Sequence, residues 1–427
     1  MLDSNEMPIG WKALYLEDIC FPAKSTVDPA TLEDFPYIGL EHVDSGEIGI
    51  TRWGRSGDVK SSKSEFRQGD VLYGKLRPYL DKAVLAPWAG VCTTELLVLR
   101  PDPQKIIPEF LVCLLHSKPF VQHAINTTAG TNLPRTSWHS IKEYACALPP
   151  VPEQRAIAHV LRTVQRAKEA TEKVIAATRQ LKKSVMRNLF TYGPVPVEEA
   201  ETVETVESDI GIMPSHWALR ELDELFESRL GKMLSQAART GRFSRPYLRN
   251  ANVQWGRVDL SEILEMDFDD EERLTFRLSP GDALICEGGE VGRTAIWRGE
   301  LDECYYQKAI HRARPRNNRI GTEFLMYHMM NAFLIRNCYG LVGTKTTIAH
   351  LPGIKLKTLR IPVPPKPDQD RIVAWLSVID RKIGSEENRL LSLDSLFKSL
   401  LHGLMTGQIR LPGFTSGNEG RGNASCL

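Results

Sequence analysis

Pro149-Pro150-Val151-Pro152-Glu153-Gln154 returns as Pro364-Pro365-Lys366-Pro367-Asp368-Gln369, and the offset of 215 residues then holds without insertion through Thr191 and Thr406. Within that stretch Ile157 pairs with Ile372, Leu161 with Leu376, Val164 with Ile379 and Leu189 with Leu404. Upstream the copies drift in length but still correspond: Trp11 with Trp217, Gly69-Asp70 with Gly281-Asp282, Glu109-Phe110-Leu111 with Glu323-Phe324-Leu325, Gly130-Thr131 with Gly343-Thr344. Two like units follow, each a globular domain free to diverge, joined to a rigid element whose length is held.

The rigid element is a helix. Pro152 and Pro367 suit a first helical turn, where no N–H is needed, and Glu153, Asp368 and Asp370 sit at the positive end of the helix dipole. In the second copy Ile372, Leu376, Ile379, Ile383, Glu386, Leu390, Leu393, Phe397, Leu400 and Leu404 alternate by fours and threes, the seam of a coiled coil. In the first, Ile157, Leu161, Val164, Lys168, Thr171, Ile175, Thr178, Lys182, Val185 and Leu189 keep the spacing with a more polar middle. The spacing predicts helices over 153–190 and 368–404, the first about 57 Å long at ~1.5 Å per residue. The two can pack antiparallel if the domain between them returns the chain; the other reading packs each helix on its own domain.

Each preceding domain has short strand-like runs: Tyr37–Leu40, Asp70–Tyr73, Ala83–Leu85 and Leu96–Leu99, then Ala283–Cys286 and Thr294–Trp297. One helix is expected in each, over 107–125 and 322–338. The fold class expected is α+β: two tandem globular domains, each followed by a long helix, the two helices forming an antiparallel coiled coil. The boundaries expected are 1–150 for the first domain, 151–193 for the central helix, 194–213 for an acidic linker, 214–366 for the second domain, 367–407 for the C-terminal helix and 408–427 for a tail.

Charge is segregated. Residues 1–150 carry 15 Lys+Arg against 18 Asp+Glu, 153–190 carry 9 against 3, 191–213 none against 6, and 214–367 carry 23 against 19. The whole chain is only +1, so DNA contact would have to come from local clusters. No run approaches the ~20 apolar residues of a membrane span, and the eight cysteines are scattered without a C-x-x-C pair; a cytoplasmic, reduced protein without a zinc site is expected.

No assembled active site is visible. Gly69 to Lys75 fits G-x-x-x-x-G-K, but Leu76 replaces the magnesium-binding hydroxyl and Pro78 opposes the helix a phosphate loop needs. Neither G-x-S-x-G nor H-E-x-x-H occurs, and no N-P-P-[YF] or D-P-P-[YF] adenine-methylase motif, so no catalytic or metal-binding residue is assigned. The residues suited to DNA are Lys75, Arg77, Tyr79 and Lys82 at a strand end, and Arg293, Gln307, Lys308 and His311 in the second copy. Arg bonds guanine edges or phosphates, Lys mainly phosphates and Gln adenine edges. The loop after each domain's helix is a second candidate, with Thr131, Asn132, Arg135 and Thr136 in the first and Thr344, Lys345, Thr346 and Thr347 in the second. The bland alternative for all of these is a solvated turn or face.

The frame from Gly69 to Lys82, Gly90 to Glu95, the hinge Leu148 to Gln154, the helix ending Leu181 to Thr191 and the second ending Leu404 to Leu411 resemble the specificity subunit of type I restriction-modification systems. The resemblance implies a non-catalytic subunit that recognises a bipartite site in double-stranded DNA. It implies as partners two adenine-methyltransferase (modification) subunits and restriction (translocase) subunits, which would hold S-adenosylmethionine, ATP and magnesium, with no cofactor on this chain. A stand-alone bipartite DNA-binding regulator is the alternative function. The second domain departs from the family frame beyond Gly281-Asp282, with Cys286-Glu287-Gly288-Gly289 set against Tyr73-Gly74-Lys75-Leu76.

Overall fold

The computed structural model describes residues 7–32, 34–130, 132–235, 241–339 and 350–414. It divides into two units, Met1–Lys173 with Glu387–Leu427, and Val174–Glu386. Each unit therefore holds one domain, one half of the central helix and one half of the C-terminal helix. The central helix runs Val151–Tyr192, 42 residues, and the C-terminal helix Lys366–Met405, 40 residues. Both begin two residues before the expected starts because Pro152 and Pro367 fall inside the first turn, whose N–H groups have no helical partner.

In the first unit Ile157 and Leu161 share one core with Phe397, Leu401 and Leu404 and with Leu16, Phe110, Leu111 and Phe120 of the domain. In the second, Met186, Leu189 and Phe190 share a core with Ile372 and Leu376 and with Trp217 and Phe324. Helix-on-domain and helix-on-helix packing thus coexist within each unit. Leu376 is fully buried, and truncating such a residue to Ala costs about 2–5 kcal/mol.

The same four-stranded antiparallel sheet occurs in both domains. β1 (Cys20–Pro22), β2 (Val71–Gly74), β3 (Ala83–Leu85) and β4 (Leu96–Pro101) lie in the order β1-β4-β2-β3. β5 (Phe226–Leu230), β6 (Ala283–Cys286), β7 (Thr294–Ile296) and β8 (Ile310–Pro315) lie in the order β5-β8-β6-β7. Val71 faces Leu99 and Leu85, and Ala283 faces Ala313 and Ile296, so Gly74 corresponds to Cys286 and Lys75 to Glu287. This corrects by one residue the alignment expected from sequence, which set Cys286 against Tyr73. Both copies of the Gly-Asp pair end in the same contact: Asp70 takes two hydrogen bonds from Arg100, each 2.8 Å, and Asp282 takes two from Arg314 at 2.6 and 2.9 Å. A second sheet in each domain includes one parallel pair, Tyr37 beside Val91 and Tyr247 beside Tyr305.

The hinge repeat has a physical reason. Gln154, fully buried, accepts from the Ile107 N–H at 3.0 Å and donates to the carbonyls of Lys105 and Pro149 at 2.8 and 2.9 Å. Gln369 does the same in its own unit, accepting from Gly321 N–H at 3.1 Å and donating to Arg319 and Pro364 at 2.6 and 2.9 Å. One amide thus staples the start of each long helix to the loop before the domain's internal helix, and only a side chain with both donor and acceptor can do so.

Three expectations need correction. The segment 107–125 is two helices, Pro108–Leu115 and Lys118–Asn126, because Pro119 takes an N-terminal position and restarts the helix after His116 and Ser117. The segment 322–338 is an α-helix Thr322–Met330 continued as a π-helix Asn331–Arg336. The acidic stretch is only partly a solvated linker: it forms a 3₁₀ helix Val197–Thr202 and a strand pair, Thr205–Val206 with Met213–Pro214, and buries Ile210 and Met213 in the second unit's core.

Candidate nucleic-acid interface

In the first domain the two candidate loops meet. β2 ends at Gly74; the Lys75 N–H then bonds the Glu95 carbonyl at 2.9 Å, and the Lys75 carbonyl receives the Thr136 N–H at 3.0 Å. Leu76 bridges to Arg135, and the Arg77 N–H bonds the Pro134 carbonyl at 2.8 Å. The backbone therefore fuses 75–82 and 132–136 into one platform. On it Arg77, Tyr79, Asn132 and Arg135 are exposed and Lys75 is half-buried. Arg135 is oriented by Glu95, Nε to Oε2 3.2 Å. Thr136 is buried, and its hydroxyl has no partner among the described residues.

The loop is strained in a defined way. Arg77 (φ 52°) and Asp81 (φ 48°) are both in the left-handed region and bracket a 3₁₀ turn at Pro78–Leu80. Each costs on the order of 1–2 kcal/mol for a residue with a Cβ. Pro78 is buried beneath the turn, while Tyr79 is 53% exposed at its tip. Strain of this kind clusters where a side chain must be held in a set direction.

The second domain builds the same platform with other residues. The Glu287 N–H bonds the Ala309 carbonyl at 2.9 Å and the Glu287 carbonyl receives the Leu351 N–H at 2.7 Å, matching the two contacts of Lys75. The strand-to-strand turn closes with Cys286 N–H to the Arg293 carbonyl at 2.8 Å, as Gly74 N–H closes on Lys82 at 2.8 Å. Gln307, half-buried, and Lys308, exposed, lie on the segment that in the first domain carries Thr93 and Thr94.

Several expected contact residues turn inward. Lys82 Nζ bonds the Leu40 carbonyl at 2.7 Å, and Arg293 Nη2 bonds the equivalent Asn250 carbonyl at 2.6 Å; both cations tie the platform to a 3₁₀ turn of their domain. His311 is buried, with Nε2 at 3.2 Å from the Leu351 carbonyl, and burial pushes its pKa below the usual imidazole value. Its neighbour His350, exposed, lies 3.3 Å from the buried Glu287. Thr131, Thr344, Lys345, Thr346 and Thr347 lie outside the described residues. Sequence reasoning did not single out Glu95, which orients Arg135, or His116, which underlies the loop; the repeated hinge was the available signal for Gln154 and Gln369.

A family model described as type I restriction modification DNA specificity domain matches residues 8–178 and again 214–394. The chain is 23% identical over 430 residues to the putative type I restriction enzyme MjaX specificity subunit of Methanocaldococcus jannaschii, covering 95% of both. It is 23% identical over 330 residues to the EcoKI specificity subunit of Escherichia coli, covering 73% of this chain and 68% of that one. Among solved structures, one described under complex assembly and conformational transition of the type I R-M system superposes with a TM-score of 0.59 at 21% identity, covering 94% of this chain and 99% of the other. The type I restriction-modification S subunit from M. genitalium gives 0.56 at 17% identity, covering 95% and 98%. With both copies of its repeat matched by one model, the chain belongs to the family of type I restriction-modification DNA specificity proteins.

Proposed function

We propose that this chain is the DNA-recognition subunit of a type I restriction-modification complex, each domain reading one half of a bipartite site. The observation that carries this is the platform built twice. Equivalent backbone bonds hold Lys75 and Glu287, yet the surface around them differs: Arg77, Thr93, Thr94 and Arg135 in one, Gly289, Gln307, Lys308 and His350 in the other. A shared scaffold with different donors and acceptors suits two readers of different sequence.

The two long helices form an antiparallel coiled coil in this reading, and the separation it sets fixes the spacer between half-sites. Support comes from pairs inside each unit. Glu153 accepts from Arg410 at 2.8 Å, and buried Lys168 bonds Asp394 at 3.1 Å in the first; Lys182 bonds Asp380 at 2.6 Å in the second. Lys168–Asp394 and Lys182–Asp380 each link the two helices within one unit, while Arg410 reaches Glu153 from the segment after the helix end at Met405. In this reading the chain is non-catalytic and takes no cofactor of its own; adenine methylation with S-adenosylmethionine, and ATP- and magnesium-dependent translocation, belong to partner subunits, two of them methyltransferases. The sequence supports that division, since no adenine-methylase motif is present. Among the described residues no helix is long and apolar enough to cross a membrane. Methylome sequencing of a host expressing the chain with its adenine methylase tests the reading: a split, gapped motif is expected, and a continuous motif or none overturns it.

A further inference from the structure

Between the strained loop and the domain core lies His116, at the C-terminal end of helix Pro108–Leu115 and 3% exposed. Its Nδ1 is 2.8 Å from Asp81 Oδ1 and its Nε2 is 2.8 Å from the Ala83 carbonyl oxygen. A carbonyl only accepts hydrogen bonds, and so does an ionised carboxylate. Both ring nitrogens must therefore donate, which only the imidazolium can do. Burial opposes the charge, but the bond and charge of Asp81, the Ala83 carbonyl and Glu47 outweigh it and hold the pKa above the ordinary imidazole value. The other titratable groups that share with His116 the lining of a cavity of about 270 Å³ are Lys118 from the following helix, and Asp394, Lys398 and His402 from the C-terminal helix.

Asp81 is the residue through which the loop is gripped. It closes the 3₁₀ turn in the left-handed region, and its carbonyl also receives the Gly46 N–H at 2.8 Å. Among its described residues the second domain has no such device at the corresponding place. By the correspondence of Glu109-Phe110-Leu111 with Glu323-Phe324-Leu325, Met330 takes the place of His116, and the turn after β6 is the glycine-bearing Gly288–Gly292.

We propose that His116 is a positioning residue for the first reader: its doubly donating ring holds Asp81 in place, sets the direction of Arg77 and Tyr79, and makes recognition of the first half-site, and not the second, depend on one buried proton. The inference rests on the reading of the chain as a bipartite DNA recogniser. The sign follows from the raised pKa. The proton is fully present below the ordinary imidazole value and is lost as pH rises through the folded value, so first-half-site affinity falls on the alkaline side.

Three readouts test this on the full chain. In 15N-histidine-labelled protein, the resonance that His116→Gln removes is expected to show both ring nitrogens protonated at pH 7. Hydrogen exchange of segment 77–83, corrected for its intrinsic pH dependence, is expected to accelerate in His116→Gln. In complex with the modification subunits, binding is then measured from acid to alkaline pH on the mapped bipartite duplex and on versions with either half-site scrambled. The wild type should lose about tenfold in first-half-site affinity at alkaline pH, the scale of one base contact. His116→Gln should be weak and pH-flat, and Asp81→Asn, which keeps a side chain tolerant of the left-handed region, should move the transition to lower pH. A neutral ring at pH 7, or unchanged exchange and affinity in His116→Gln, overturns the proposal. Loss of specific binding by the wild type at both half-sites would instead overturn the DNA-recognition reading, with the ring and exchange measurements still deciding the role of His116.

Discussion

Replacing Gln154 with Ala removes three hydrogen bonds from a fully buried site, those to Ile107 N–H and to the carbonyls of Lys105 and Pro149. Lys105 is exposed and its carbonyl can recover a water, but Pro149 is buried and Ile107 half-buried. Two orphaned groups at about 1–3 kcal/mol each, with a small cavity term, give a loss of about 3–5 kcal/mol. Gln154→Glu should cost at least as much despite its shape, since an ionised carboxylate cannot donate to either carbonyl and its charge would be buried. Gln369→Ala is the internal control, because Gln369 makes the same three bonds in the other unit. Urea unfolding followed by hydrogen exchange resolves the two units: Gln154→Ala should weaken protection over 105–160 and spare 319–375, and Gln369→Ala should do the reverse. A loss below about 1 kcal/mol for both variants, or equal losses in both segments from either one, would refute the staple.

Lys75→Gln combined with Arg77→Gly, the glycine chosen because it takes positive φ without steric cost, should weaken only the first half-site, by ~1–3 kcal/mol for each base no longer read. Methylome mapping that finds both half-sites relaxed equally would contradict it. His328, buried with Nε2 at 2.8 Å from the Tyr339 hydroxyl, has its pKa pushed down to about 3 by burial and by Arg336. The unfolded chain therefore takes up this proton first, and stability of the second unit should be full above the ordinary imidazole range and fall by roughly 1.4 kcal/mol per pH unit below it; His328→Leu should flatten that slope in acid unfolding. Inserting one heptad after Thr178 and one after Gly384 keeps the seam in phase and adds about 10 Å at ~1.5 Å per residue, so the spacer should grow by about three base pairs at ~3.4 Å per step while the half-sites stay the same.

What the sequence made legible is what one-sided burial writes into spacing. The threes and fours of Ile157, Leu161 and Val164 survive because one face alone is packed, and Ala83–Leu85 and Ala283–Cys286 are strands over the expected residues. The helix break at His116-Ser117 had a local signal in Pro119 that the apolar run from Phe110 to Leu115 outweighed. Acidic composition hid Ile210 and Met213, two apolar residues enough to pin the stretch to a core. Both candidate loops of the first domain were visible as loops, but their union depends on bonds such as Arg77 N–H to the Pro134 carbonyl, spanning more than fifty positions. The same applies to Lys82 and Arg293: residue type suggested phosphate contact, and only tertiary structure supplies the carbonyls that hold them.

The long helices repeat in length yet differ in charge, and the difference bears on which pairs with which. Under the offset of 215, Lys168 corresponds to Ile383 and Lys182 to Phe397, while Asp380 corresponds to Gln165 and Asp394 to Arg179. The cations thus lie on the central helix and the facing carboxylates on the C-terminal one. Lys168 is 4% exposed in its side chain and meets Glu47 at 2.8 Å as well as Asp394, with the Phe397 ring beneath it at 5.3 Å. A buried pair of this kind adds little net stability over an apolar one, because desolvation offsets attraction, but leaving one charge unpaired is costly. If two copies of the central helix paired in that same register, Lys168 would face Arg179 and Lys182 would face Gln165, like charge or no charge where the native partners are carboxylates. The repeat therefore carries its own discrimination: apolar seams that recur in both helices, and polar positions that set carboxylates against Lys168 and Lys182 in the unlike pair.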